Sequence, residues 1–174
     1  MDQKLNFDAL FAQFLANTRR IQALASDVSD EQARWKPDPE TWSLLEVVNH
    51  LYDEEMLDFR TRLEILLSQS GADWPPINPP LWVVERAYNT RDLAESLQNF
   101  LREREKSIRW LSGLKNADWQ ASASAPWGRE MQAGEMFAAW VAHDLLHSRQ
   151  LVELHWAWVN LQAGSYPIGY AGDW

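Results

Sequence analysis

The stretch VAHDLLHSRQL, Val141–Leu151, decides the reading of this chain, because it sets two histidines four residues apart in a mostly apolar, helical run. Positions four apart on a helix lie nearly one above the other, so His143 and His147 point the same way. Met136, Trp140, His143, His147, Leu151, Leu154 and Trp158 follow one another at three- and four-residue steps and mark one packed stripe. An imidazole on such a stripe must find partners for both ring nitrogens or lose stability. Two histidines at this spacing can share one metal ion, and a pair of satisfied core or surface histidines fits the same pattern.

Working outward, the helix carrying the pair is expected from about Gln132 to Leu161. Phe7, Leu10, Phe11, Phe14, Leu15, Ile21 and Leu24 predict a first helix over about 6–25. Ser29 with Gln32 marks a short capped turn, and the two prolines of KPDPETW make a loop. Ser43 with Glu46 is a second capping box and opens a helix reaching about Ser68, near Gly71. GADWPPINPPL is an extended connection, and WVVERAY reads equally as strand or loop. A third helix starts after Thr90, taken as its cap, and runs to about Leu111 before Gly113. NADWQASASAPWGREMQAGE is expected to be irregular, and the tail GSYPIGYAGDW to dock across the bundle. Four long amphipathic helices within residues 1–174, as one domain, predict an all-α four-helix bundle with long loops after the second and third helices.

Composition narrows the function. The 174 residues are 46% hydrophobic and 24% charged, ordinary for a soluble domain. A net charge of −9 argues against nucleic-acid or anionic-membrane surfaces. The densest basic groups, RTR at 60–62 and REREK at 102–106, read as solvated helix faces. No apolar run approaches the roughly 18–20 residues of a membrane span, and MDQKLNFDALFAQF is not a signal peptide. With no cysteine there are no thiolate ligands or nucleophile, and a cytoplasmic location is the simplest expectation. Eleven tryptophans spread along the chain suit core, pocket or interface positions.

A third histidine joins the pair. His50, in WSLLEVVNHLYDEE, lies one turn after Glu46, one turn before Glu54, and near Leu57 on the packed face. Bundles build metal sites from inward side chains on facing helices, and three imidazoles leave an ion an open position. His155, eight residues after His147, is rotated roughly 80° away and stays outside the group. Trp42, Ser43, Glu46, His50 and Leu51, followed by HDLLHSRQL, resemble the DinB-like (DinB/YfiT-like) superfamily over nearly the whole chain. That resemblance implies a four-helix bundle whose metal ligands are His50, His143 and His147. Gln150 matches a glutamine often found after the last ligand. Ser148-Arg149 departs from the Arg-Gly of many members.

Imidazole donors suit zinc or nickel, with iron or copper behind them, better than calcium or magnesium. Glu54 is the best-spaced candidate for a general base and Asp53 the next, although DEE at 53–55 also reads as a solvated face. Asp144 is turned about 100° from His143. Glu46 and Glu54 are candidates to support the ligands. Trp140, Trp127 and Trp82 are candidate pocket walls. The resemblance implies metal-dependent chemistry on a small molecule, of the thiol S-transferase or hydrolase type, with a low-molecular-weight thiol as one partner. The alternative is a non-catalytic ligand-binding or stress-associated bundle, dimeric through its tryptophans. No GxGxxG or GxxxxGK loop, nucleophile elbow or di-iron Glu-x-x-His pair is present.

Overall fold

The computed structural model describes residues 4–172. Four long helical segments make the bundle: α1 (Phe7–Ala25), a second formed by α3 (Leu44–Glu54) running through a π-helical turn at Glu55–Phe59 into α4 (Arg60–Ser68), α6 (Leu93–Ser112) and α7 (Ala133–Ala163). Two short helices, α2 (Asp30–Arg34) and α5 (Pro79–Glu85), lie in the connections. The helix α1 packs along α7 and α6, and the α3–α4 segment also packs against α6 and α7. The first two long segments therefore sit diagonally, not side by side as in a simple up-and-down ring.

The caps explain where the helices start. Ser43 accepts from the Glu46 backbone N–H at 3.1 Å while the Glu46 carboxylate accepts from the Ser43 N–H at 2.7 Å. This closes two otherwise orphaned donors just before His50's helix. Ser43 also donates to Asn89 Oδ1. Replacing Ser43 by alanine is expected to cost about 1 kcal/mol, read as a lower urea midpoint at unchanged slope.

Several expectations are corrected. Asp92, not Thr90, caps α6 by accepting from Glu95 N, and Thr90 donates to Ala87 O in a 3₁₀ turn at Tyr88–Thr90. Ser29 caps α2, but Gln32 does not close the box; its amide meets His155 Nδ1 at 3.0 Å. WVVERAY is largely helical: Asn78 caps α5, and Pro79 and Pro80 occupy its first turn, where a missing N–H costs nothing. The segment before α7 holds an antiparallel hairpin, β1 (Ser122–Ser124) against β2 (Glu130–Gln132). Among the described residues the tail does not dock, since Tyr166 and Tyr170 are exposed; Asp173 and Trp174 lie outside the described residues.

The core divides along α7. Met136, Phe137 and Trp140 join Phe7, Phe14 and Phe59 at one end. Leu151 and Leu154 join Ile21, Leu44, Val47 and Phe100 at the other. His143 and His147 fall between the two clusters, level with His50. Among the described residues, no helix is long and apolar enough to cross a membrane.

Candidate metal centre

The three histidines converge through one atom each. His50 Nε2 lies 3.0 Å from His147 Nε2 and 3.4 Å from His143 Nε2, and the latter two are 3.1 Å apart. His50 and His147 are buried and His143 half-buried. Each neutral imidazole nitrogen carries either one hydrogen or one lone pair. Around a triangle of such atoms only one N–H···N bond can form, and the third nitrogen must oppose a like neighbour. An ion that accepts three lone pairs removes this conflict. With metal–nitrogen bonds of about 2.0–2.1 Å, ligand nitrogens stand roughly 2.9 Å apart at octahedral and 3.4 Å at tetrahedral angles. The observed separations fall in this range, so the donor set fits a divalent transition ion.

The surroundings keep the rings in ligand form. Burial, then the neighbouring His147, pushes His50 down to about 3. Burial, then His147 and His50, pushes His143 down to about 2. Burial also lowers His147, against the opposing pull of Gln150 and Asp144. His147 Nδ1 meets Gln150 Oε1 at 2.8 Å. The amide oxygen can only accept, so Nδ1 carries the hydrogen and Nε2 turns its lone pair to the centre. His50 Nδ1 is buried with no protein partner. The Trp42 ring lies 4.9 Å from His50 and is parallel to His147 at 6.4 Å. Phe59 covers His143 at 4.8 Å. Phe59 reaches that position from the π-helical turn, whose extra residue rephases the helix; such turns frequently occur at functional sites.

The other predicted residues are placed as follows. Glu54 is buried one turn from His50. Glu46 does not reach an imidazole: its carboxylate serves the Ser43 cap and pairs with Lys36 at 3.1 Å. Asp53 is held by Tyr88 and Arg86. Trp140 is no pocket wall; it is 1% exposed, packs on Phe14 and Phe59, and donates Nε1–H to Glu55 at 3.2 Å. Trp127 is half exposed against Trp74, and Trp82 packs with Val83 and Tyr88. His155 stands apart, with Nε2 on Leu24 O at 2.7 Å.

The sequence reading missed a buried ion cluster beneath the centre. Arg104 donates to Asp144 through two nitrogens at 2.7 Å each and to Glu55 at 2.9 Å. All three side chains are at most 1% exposed. Asp144 thus points inward, and neither REREK nor DEE is wholly a solvated face. Arg62 of RTR is buried as well. Burial opposes the Arg104 charge, but Glu55 and Asp144 outweigh it and hold the guanidinium above its ordinary range. Burial raises Glu55 in spite of Arg104. The available signal was the helix phase, which puts Asp144 next to the His143 stripe once α7 is seen to be packed on several sides.

A four-helix bundle with a buried three-histidine cluster defines a class, and the comparisons identify it. The profile of the DinB superfamily matches residues 13–151, and the chain belongs to that superfamily. The fold is similar to that of YfiT from Bacillus subtilis, described as a probable metal-dependent hydrolase with an unusual four-helix bundle topology. The two superpose with a TM-score of 0.77 over 88% of each chain, at 17% sequence identity. At that identity the likeness speaks for the fold. No curated protein sequence matches this chain.

Proposed function

We propose that the protein is a divalent-metal-dependent enzyme acting on a small molecule, of the hydrolase or thiol S-transferase type. His50, His143 and His147 would hold the ion through Nε2. The single observation that carries this reading is the triangle of Nε2 atoms at 3.0–3.4 Å, which three imidazoles cannot satisfy among themselves. Neutral imidazole donors favour zinc or nickel. When bound, the ion supplies Lewis acidity at its open position. The chain supplies the rest. Gln150 fixes the His147 tautomer, Trp42 and Phe59 wall the rings, and burial keeps the donors unprotonated. Glu54, buried one turn from His50, is the candidate to move protons. YfiT's description as a probable metal-dependent hydrolase supports the hydrolase branch.

Metal content by mass spectrometry tests this. Wild-type protein is expected to hold about one divalent ion per chain, as a single site requires. His143→Ala/His147→Ala, checked for folding by circular dichroism, is expected to hold essentially none. Absence of metal from the wild type after incubation with zinc and nickel would overturn the reading. It would leave a non-catalytic ligand-binding bundle in its place.

A further inference from the structure

The last helix has two distinct faces. Its buried side chains, among them Trp140, Asp144, His147, Leu151 and Leu154, turn toward the bundle. On its outward side Ala142, Leu145, Arg149, Val152, Trp156 and Val159 follow one another at strict three- and four-residue steps. That spacing is the narrow seam by which two helices pair along their length. Ala142, Leu145, Arg149 and Val159 are exposed, and Val152 and Trp156 are half-buried. The large apolar side chains that stand exposed among the described residues are concentrated here. Leu145, Leu146, Val159, Leu161, Tyr166 and Tyr170 lie on α7 or the segment after it, and only Leu81, Val84 and Trp127 lie elsewhere. A concentration of this kind marks a protein–protein contact.

Charge selects a second copy as the occupant. The chain carries −9, so two copies repel unless they meet through a neutral face. After Glu135, the charged residues of α7 are the buried Asp144 and the pair Arg149–Glu153, joined at 2.7 Å. The seam is therefore neutral, and it is self-complementary about a two-fold axis. An antiparallel pairing that sets Arg149 against the second copy's Glu153 also sets Leu145 against its Trp156 and Ala142 against its Val159. A groove of about 800 Å³, lined by Leu5, Trp119, Gln132, Gly134 and Glu135, lies open at the N-terminal end of the same helix. The exposed Tyr166 and Tyr170 follow its C-terminal end. They cannot fill the groove of their own chain. The 31 residues of α7 make about 46 Å of helix. Tyr170, seven residues past Ala163, stands within about 25 Å of the helix end even on a fully extended chain.

We propose that a second copy of this chain covers the outward seam of α7 in an antiparallel arrangement, and that the tail of each copy enters the groove beside Gly134 of the other. The C-terminal end of one α7 then lies next to the N-terminal end of its neighbour. This brings Tyr166 to the second copy's groove and leaves the two Tyr166 side chains at opposite ends of the pair. Trp119 and Leu5 give the tail's aromatic rings an apolar wall. A seam of two helices lies at the low end of interface sizes, so dissociation falls in the micromolar range. The three-histidine centre lies on the other side of α7, and the pairing stands apart from the metal reading.

Sedimentation equilibrium of the full chain tests the pairing. Between about 1 and about 100 µM the wild type is expected to pass from the 20.2 kDa chain to twice that mass. Arg149→Glu, which crowds acids at the two-fold axis, should keep the circular-dichroism spectrum and abolish the dimer. Arg149→Glu/Glu153→Arg should restore it. Removing residues 165–174 should weaken the dimer by about tenfold or more. The chain has no cysteine, so introduced thiols report the arrangement by themselves. Gln132→Cys/Tyr166→Cys is expected to form a disulfide-linked dimer under mild oxidation, whereas Tyr166→Cys alone is not. A chain that stays monomeric at about 100 µM overturns the proposal and leaves the face to a different protein. A dimer indifferent to Arg149→Glu overturns the seam. Crosslinking of Tyr166→Cys alone overturns the antiparallel order. No crosslink in the double variant, or a dimer equally tight without residues 165–174, overturns the tail in the groove.

Discussion

Arg104→Ala is expected to lower the unfolding free energy by about 3–5 kcal/mol, the usual result of removing one member of a buried ion cluster. Arg104 is enclosed, with Phe14 4.0 Å from its guanidinium carbon and carboxylates at two of its edges. Without it, Glu55 and Asp144 remain buried with too few donors. Asn17 reaches Asp144 only at 3.5 Å, and Trp140 offers Glu55 a single N–H. The loss is a large share of the roughly 5–15 kcal/mol that holds a typical domain together. For a chain of this length it corresponds to a fall in Tm of about 10 °C. Replacing all three charges with apolar residues of similar volume should recover much of the loss, since desolvation of an intact cluster offsets most of its attraction. Urea unfolding of the single and triple variants checks both statements. A loss below about 1 kcal/mol in Arg104→Ala would show that the cluster is well hydrated.

The metal-free protein is expected to be most stable at mildly acidic to neutral pH and to weaken on both sides. His50 and His143 have folded-state values of about 3 and about 2, far below the roughly 6.5 of an unfolded histidine. The unfolded chain therefore binds protons first. Stability present above about 6.5 is lost as the pH falls, by about 1.4 kcal/mol per pH unit for each ring. Glu54 works the other way. Its folded value of about 9 lies above its ordinary 4.5, so its contribution is lost as the pH rises between those values. Between about 4.5 and 6.5 His50 and His143 lower stability on acidification while Glu54 raises it, with Glu55 and Asp58, both raised by burial, on the side of Glu54. His147 shifts in the same direction as the other rings and acts on their side. Above 7 Glu54 produces a decline of about 1.4 kcal/mol per pH unit. Urea midpoints measured across pH check this. Glu54→Gln should flatten the alkaline limb and steepen the fall between about 6.5 and 4.5, and His143→Ala should shallow the acidic limb.

The sequence by itself determined the bundle and the three histidines that meet in it. The helices and the His143–His147 pair follow from local rules: the 3.6-residue period of Phe7 to Leu24 and of Met136 to Trp158, the Ser43–Glu46 cap, and the four-residue step from His143 to His147. The period alone put His50 on a packed face; the pairing of that face with α7 came from the resemblance and the bundle architecture. Only the tertiary structure decided the fates of the charged residues. Arg62, Glu103 and Arg104 sit in runs that look solvated, as does DEE at 53–55, and nothing local separates a charge facing water from one facing an opposite charge on another helix. Asp144 is buried because Arg104, forty residues earlier in the chain, comes to meet it. Trp140 is core and not pocket wall because Phe14 and Phe59 enclose it from two other segments. The π-helical turn has the same origin. Phe59 stacks on Trp140 and covers His143 from that turn, contacts made on another helix that no local propensity encodes. Periodicity along one chain specifies which face of a helix turns inward; what that face meets is a property of the assembled helices.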